Sequence, residues 1–375
     1  MNQLIRPILR RTLVVPLAVC ALLVASCGGD GGDADAALDP PATVDDPTAE
    51  GEQAPEATGS EEDQMEGGGE ATSGDEPAED AGAGSTVTVA TANGEITVPV
   101  TTAGIFTLDE WAAQMLLALG VEPVTTANYF SDTASLAVVE DAGVGVIESG
   151  NLELVAVEAP AMIIGTGQPP HLEVVDVLEE IAPVVLPDLE LASWEDQLRV
   201  LAAVTGTEER AEQIIGRVAE RRDALAAQVE DSPVAGSSLS ILTDFGSGGG
   251  FYAFESPLLA ATFADDFGLQ RPPDQTNDDP SDFGYIEISE ELIPSQGADI
   301  IISLSGDITG GLSALDNPLL PDAPIEAEVD GTTWAVSTPL SAWWILDDYE
   351  SILLGDATTH TVDDSLDVWA DLTEG

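Results

Sequence analysis

The 375-residue chain contains no lysine. Its nine basic residues are all arginine, against 70 Asp and Glu, for a formal net charge of −61. Such a balance excludes nucleic acid and anionic membrane faces as partners, because both demand basic patches. A surface this acidic repels itself and stays compact more readily in salt, where a Debye length of ~3 Å at about 1 M mutes the repulsion. A salt-loving source is therefore expected. Cysteine is scarce: Cys20 and Cys27 are the only two. Histidine is equally scarce, at His171 and His360. A direct zinc or manganese site wants more imidazole or thiolate than that, and a hydrolytic nucleophile has few bases to pair with. No Gly-x-Ser-x-Gly elbow occurs, and the glycine run from Gly246 to Gly250 lacks the lysine of a phosphate loop, so it reads as a turn. Acid pairs are so abundant that none is informative about glycoside cleavage.

The first residues carry what positive charge the N-terminus has. Arg6, Arg10 and Arg11 precede an apolar run from Thr12 to Val24. The run is shorter than the about 20 residues of a membrane span and has the form of an export signal. Val24-Ala25-Ser26-Cys27 resembles the bacterial lipobox, which implies cleavage after residue 26 and lipid on Cys27. Two or three acyl chains, at roughly 0.8 kcal/mol per buried CH2, would hold the chain firmly on the outer face of the cell membrane. Cys20 lies in the discarded segment, so a disulfide framework is excluded. Residues 27–84 are Gly-, Ala-, Asp-, Glu-, Ser- and Pro-rich, without a basic or aromatic residue. They cannot bury enough apolar surface to order themselves and read as a solvated tether with a mean reach of roughly 40 Å.

The remaining chain alternates apolar strands with helices, which predicts an α/β architecture. Residues 85–90 and 95–100 read as a hairpin about Asn93-Gly94. Thr107 and Glu110 have the spacing of a capping box, with Phe106 and Trp111 at staple positions, predicting a helix from Leu108 to Leu119. The segments ELVAVEAPAMIIG (153–165) and ELIPSQGADIIIS (291–303) match each other in spacing, each a short helix followed by an apolar strand. This repetition suggests two lobes built alike: residues 85–192 and 235–375, joined by connecting helices over 193–234. Ser193 caps one of those helices, and a second should run from Thr207 to about Val229, with Ala211, Ile214, Ile215, Val218, Leu225 and Val229 on one face. Five of the six arginines beyond the leader lie on this pair, and Glu220 stands three residues from Arg217, as if internally paired. In the second lobe, Ser238–Thr243 and Trp334–Val336 read as strands and Leu346–Leu354 as the last helix.

Several blocks, in order, resemble one family. They are NLELVAVEAPAMIIG, LEEIAPVV at Leu178, SWEDQLRVLAAVTGTEERAEQII at Ser193, GGGFYAFESPLLAATFADDFGL at Gly248 and YIEISEELIPSQGADIIISL at Tyr285. They are similar to the lipid-anchored substrate-binding proteins of ABC importers for ferric siderophores and cobalamin. The resemblance implies two Rossmann-like lobes joined by a single long helix, a ligand cleft between them, a monomer, and docking on an importer permease. It also implies an extracytoplasmic, non-catalytic role. In that family one glutamate per lobe meets arginine pockets of the permease. The matching positions are Glu153 and Glu291, the acids that open the two twin segments.

A large chelate needs an apolar, aromatic cleft with a few aimed polar groups at strand ends or the following loops. In the first lobe the candidates are Tyr129, Phe130, Thr166 and Gln168. In the second they are Phe245, Phe251, Tyr252, Arg271 and Tyr285, with Trp343 and Trp344 on the loop after the last strand, one in the core and one in the cleft. Arg271, the only basic residue beyond the connecting helices, could serve carboxylate or catecholate oxygens. His171 is expected in a loop near the cleft. With so little positive charge, the field favours a neutral or cationic ligand, hence a ferric siderophore of hydroxamate type over citrate or triscatecholate. Cobalamin, haem held axially by Tyr129 or His171, and a two-lobed surface hydrolase are the alternatives. The charge balance makes one outcome measurable: the thermal midpoint should rise by several degrees between about 0.05 M and about 2 M NaCl, and full stability at the lower salt would contradict it.

Overall fold

The computed structural model describes residues 85–187, 193–246, 250–275 and 284–374. The export signal, Cys27, the tether and residues 247–249 of the glycine run lie outside the described residues. The chain opens with the expected hairpin, β1 (Thr86–Thr91) and β2 (Gly94–Pro99), in which Thr88 faces Thr97 and their hydroxyls meet at 2.7 Å. There follow β3 (Ile105–Thr107), α1 (Glu110–Ala118), β4 (Thr125–Asn128), α2 (Thr133–Asp141), β5 (Gly145–Glu148), α3 (Leu152–Glu158), β6 (Met162–Ile164), α4 (Pro169–Glu179) and β7 (Val184–Val185). The five strands β3 to β7 form one wholly parallel sheet in the order β5-β4-β3-β6-β7. Its middle strands β3 and β6 are buried on both faces and mostly apolar, as helix-covered parallel strands tend to be.

Two helices come next, α5 (Trp194–Thr205) and α6 (Glu208–Glu230). Ser193 caps α5 as expected, accepting from the Asp196 N–H at 3.3 Å. At 23 residues, α6 is roughly 34 Å long. The second lobe contains β8 (Leu239–Thr243), β9 (Phe251–Phe254), α7 (Leu259–Asp266), β10 (Tyr285–Ile288), a 3-10 segment (Glu290–Gln296), β11 (Ile300–Ser305), β12 (Ile325–Asp330), α8 (Gly331–Trp334), α9 (Pro339–Leu354) and α10 (Ser365–Glu374). Its sheet has the order β10-β9-β8-β11-β12, the same permutation as the first. The twin segments thus end in equivalent strands, β6 and β11, each beside the central strand of its sheet. The lobes differ at β9, which runs antiparallel to β8. Only seven residues join them, too few for the helical crossover a parallel neighbour requires.

One hydrophobic core runs through both lobes. It takes in Ile105 and Met115 of the first lobe, Leu201 and Ile214 of the connecting helices, and Ile241, Trp334 and Ile345 of the second. Separate clusters cover the outer faces of the two sheets, around Phe106 and Ile163 and around Leu242 and Ile301.

The arginines organise this core's polar border. Arg210 of α6 donates to the Ala118 carbonyl at the end of α1 (3.1 Å) and to the Thr373 carbonyl at the end of α10 (2.8 Å). Arg217 donates to the Asp371 carbonyl at 2.6 Å and lies over the Trp343 ring, 5.3 Å from its centroid, rather than pairing with Glu220. Arg221 bridges Asp347 and Glu350 of α9, with Trp343 beneath it at 5.8 Å. Helix C-termini carry unsatisfied carbonyls and a partial negative charge, so a guanidinium there satisfies both. Arg199 pairs with Glu212 and Asp196, and Arg222 with Asp223 and, at 3.6 Å, Asp266. The last segment, left unplaced by its polar composition, is fixed through Asp348. This buried carboxylate accepts from the Trp334 indole at 2.8 Å and from the His360 backbone N–H at 2.8 Å, and its Oδ1 lies 2.9 Å from His360 Nδ1. That carboxylate is the main reason the His360 pKa is raised.

Several local expectations are corrected. Helix α1 begins two residues late, because β3 extends through Thr107 and Asp109 is the cap, its Oδ1 accepting from the Ala112 N–H at 2.8 Å. The last strand is β12, whose Ile-Glu-Ala-Glu-Val alternation is the signal; Trp334 belongs to α8. Gly331 lets α8 start hard against β11, since a Cβ there would lie 2.7 Å from the Ser305 carbonyl. Helix α9 starts at Pro339, not Leu346, behind a Thr338/Ser341 capping box. No described helix is long and apolar enough to cross a membrane. Arg210→Ala should destabilise the fold by about 2 kcal/mol through two lost charge-assisted bonds, whereas Arg199→Ala at an exposed pair should leave the urea midpoint unchanged. Equal effects would contradict the staple role of Arg210.

Candidate functional site

In open α/β sheets ligands gather outside the carboxyl ends of the strands. The side on which those ends lie is called the cleft side, and the two lobes approach each other on it. At its border Asp132, which caps α2, lies close enough to Asp330, at the end of β12 in the other lobe, for their charges to interact. Burial, and to a lesser extent Asp330, pushes the Asp132 carboxyl above its ordinary pKa.

The first lobe brings an aromatic wall to this edge. Phe130 stacks on Trp111 at a centroid distance of 3.4 Å and an interplanar angle of 9°. Tyr129 meets Phe130 edge-on at 4.6 Å and lies 4.7 Å from the His171 ring. Trp111 donates its indole N–H to Asp132 at 2.9 Å. Beneath the rings, Asp109 organises three chain segments. Its Oδ1 caps α1, while Oδ2 accepts from the Thr166 N–H (2.8 Å) and hydroxyl (3.2 Å). His171 Nδ1 is 2.9 Å from the Thr166 carbonyl, which can only accept, so the proton sits on Nδ1. Nε2 is buried and, among the described residues, has no hydrogen-bond partner. Gly165 makes this convergence possible, because a Cβ there would come within 2.8 Å of Leu108 Cβ. Beside Tyr129, a groove of about 460 Å³ is lined by Asn128, Val146, Ile147, Glu148 and Ser149. A groove of about 470 Å³ lined by Pro324, Ile325 and Leu354 lies at the opposite end of the second sheet, away from these loops.

Of the sequence candidates, Tyr129 and Phe130 lie in the wall. Thr166 is buried behind it as a strut, and Gln168 stands at the cap position of α4 without a side-chain capping bond. His171 belongs to the first turn of α4, not to a loop. In the second lobe Phe245 and Tyr252 pack together at 5.5 Å on the cleft side, where β8 ends and β9 begins. The others lie elsewhere. Phe251 points to the opposite face of β9 from Tyr252 and is core. Tyr285 begins β10 opposite Phe254, deeper in the sheet, and its ring packs on Phe254 at 5.0 Å. Arg271 follows Gln270, which pairs with Ser238 at the start of β8, so it sits at the wrong end of the sheet. It donates to the Ala261 carbonyl at 2.9 Å. Trp343 and Trp344 are on α9, not a loop; Trp344 is core, and Trp343 lies under the α6 arginines. Glu153 and Glu291 are exposed, in the first turns of segments that follow cleft-side strand ends.

Sequence reasoning missed the polar half of the wall. Asp109, Glu110 and Trp111 directly follow a central strand, a placement that marks cleft residues in a parallel sheet, but the capping-box pattern claimed them first. Asp132 and Asp330 gave no signal distinct from the many other acids.

The chain thus has two α/β lobes of repeated sheet topology joined by α5 and α6. The periplasmic binding protein family model matches residues 105–319, more than half of the chain. The chain belongs to that family. No curated protein matches the sequence. Solved structures of similar fold include the FhuD protein from S. pseudintermedius (19% identity, TM-score 0.57, covering 73% of this chain and 100% of that one). SirA from Staphylococcus aureus complexed with staphyloferrin B is also similar (19%, 0.55, 72% and 98%). So is FhuD2 from Staphylococcus aureus with bound ferrioxamine B (19%, 0.55, 68% and 99%).

Asp109→Ala should cost about 3 kcal/mol, since it removes a helix cap and strands a buried N–H. Denaturant unfolding checks this, and a loss under about 1 kcal/mol would show that the convergence at Thr166 does not depend on Asp109.

Proposed function

We propose that the protein is the extracytoplasmic, lipid-anchored substrate-binding component of an ABC importer, and that its cargo is a ferric siderophore of the hydroxamate class. One observation carries the choice of cargo. The sequence holds no lysine, and each of the six arginines beyond the leader is engaged by backbone carbonyls or by acids away from the aromatic wall. The cleft edge offers rings, the His171 imidazole and carboxylates. Ferric citrate and ferric triscatecholates are anionic and would meet no compensating charge there. A ferric trihydroxamate with a pendant ammonium is cationic, and its methylene chains suit aromatic walls. The fold relatives support a siderophore cargo in general, since one holds ferrioxamine B and another staphyloferrin B.

Capture needs no bond-making. The chelate lies between Tyr129 and Phe130 on one side and Phe245 and Tyr252 on the other, and the continuous core through α6 limits closure to a small hinge movement. Delivery follows through Glu153 and Glu291, one exposed acid per lobe, meeting arginines of the permease in geometrically specific pairs. Lipid on Cys27 and the tether keep the lobes near that permease.

Tryptophan quenching against a panel of ferrioxamine B, ferric citrate, cobalamin and haem tests the assignment. Ferrioxamine B should bind tightly and ferric citrate not at all; the reverse order, or a Soret band from bound haem, would overturn it. Glu153→Arg with Glu291→Arg should abolish iron uptake in cells while leaving ferrioxamine B affinity unchanged. Normal uptake would contradict the docking role.

A further inference from the structure

Glu110 is fully buried at the first position of α1, where the capping box would have turned it back toward its own helix. It turns instead to the neighbouring loop. Its Oε2 accepts from the Tyr129 N–H at 2.8 Å, and its Oε1 accepts from the Phe130 N–H at 3.0 Å and the Asp132 N–H at 2.9 Å. The Phe130 N–H is shared with Oε2 at 3.2 Å. One carboxylate thus gathers three backbone donors of a single turn. Between them Ser131 is held at φ 58°, a left-handed conformation that a side-chain-bearing residue adopts only when its surroundings impose it. The rings of that turn form the wall, and Trp111, next to Glu110, donates to Asp132 at the turn's far end. Turn, stack and carboxylate make a closed circuit.

We propose that Glu110 is the positioning residue of the ligand-binding wall: as an anion it clamps residues 129–132 in the shape that presents Tyr129 and Phe130, and a proton on it loosens the turn. The proposal rests on the reading that this wall contacts the ligand. It follows from reciprocity. Donors that satisfy the charged form favour ionisation, so ionisation favours the clamped turn to the same extent. Burial works against the charge and, helped by neighbouring Asp109, raises Glu110 to about 7, although the loop N–H groups pull it down. The balance therefore tips near neutral pH. The other titratable groups at the turn are Asp132, itself raised by burial and to a lesser extent by Asp330, and His171, whose ring lies 4.7 Å from that of Tyr129. Ligand affinity should thus fall as pH drops through about 7.

The ligand-free test follows the Trp111–Phe130 stack by near-UV circular dichroism between about pH 5.5 and about pH 9. Wild type should show a transition near 7 that Trp111→Phe lacks. Glu110→Gln should keep its far-UV spectrum and show the acid-form signal at every pH, because an amide NH2 cannot accept these N–H groups. Asp132→Asn should still titrate. In parallel, ferrioxamine B affinity of wild type should weaken about tenfold from pH 8 to 6, and Glu110→Gln should be weak throughout, about one charge-assisted bond's loss. A flat wild-type signal, a Glu110→Gln variant that titrates like wild type, or loss of the transition in Asp132→Asn would overturn the proposal. Should Glu110→Gln fail to fold, the wild-type titration set beside those of Asp132→Asn and His171→Asn still decides, because a transition lost in either variant would overturn the proposal. If ferrioxamine B binds at no pH, the siderophore reading fails while the ligand-free signal still judges Glu110.

Discussion

The structure depends on how six guanidinium groups are spent in a chain of formal charge −61. Four arginines lie on α6, and two of them reach the carbonyl ends of α1 and α10, gathering three helices from distant parts of the chain. Two, together with Trp343, hold α9. A helix end is where a cation relieves most at once: unsatisfied carbonyls, the macrodipole, and here the surrounding acid. With no lysine to share that task, the scaffold consumes the positive charge, and the cleft is left with rings and carboxylates.

The cleft's character follows from that allocation. Its first-lobe wall is held by anions rather than cations. Asp109 ties α1 to the strand ends at Thr166, and Glu110 and Asp132 tie the aromatic turn to α1 and α2. Backbone N–H groups at helix starts and turns, otherwise orphaned, meet these buried carboxyl groups where no counter-ion stands beside them. The same arrangement fixes the aromatic turn and sets carboxyl groups directly behind it.

Much of the fold was legible. The hairpin followed from Asn93-Gly94, α5 from Ser193, α6 from its apolar stripe, and the paired lobes from the repeated Glu-Leu segments that end in β6 and β11. Legibility failed where two local signals competed. Thr107 and Glu110 matched a capping box, yet strand pairing carried β3 through Thr107 and released Glu110 to the turn. Trp334 looked like strand because the better alternation, Ile325 to Val329, is diluted by glutamates. At the candidate site, aromatic identity pointed to Tyr129, Phe130, Phe245 and Tyr252, which the fold brings to strand ends, but could not separate them from Phe251 and Trp344, because which face of a strand or helix is core depends on sheet order. Arg271 looked like a ligand donor for being solitary, and its place beside the start of β8 puts it at the far end of the lobe.

The most direct measurement is a crystal structure of the protein with ferrioxamine B. The chelate should lie against Tyr129 and Phe130 and across from Tyr252, with Arg210, Arg217 and Arg221 still on their helix partners. Iron chelate bound at Arg271, or an arginine swung from α6 into the cleft to meet it, would contradict the account.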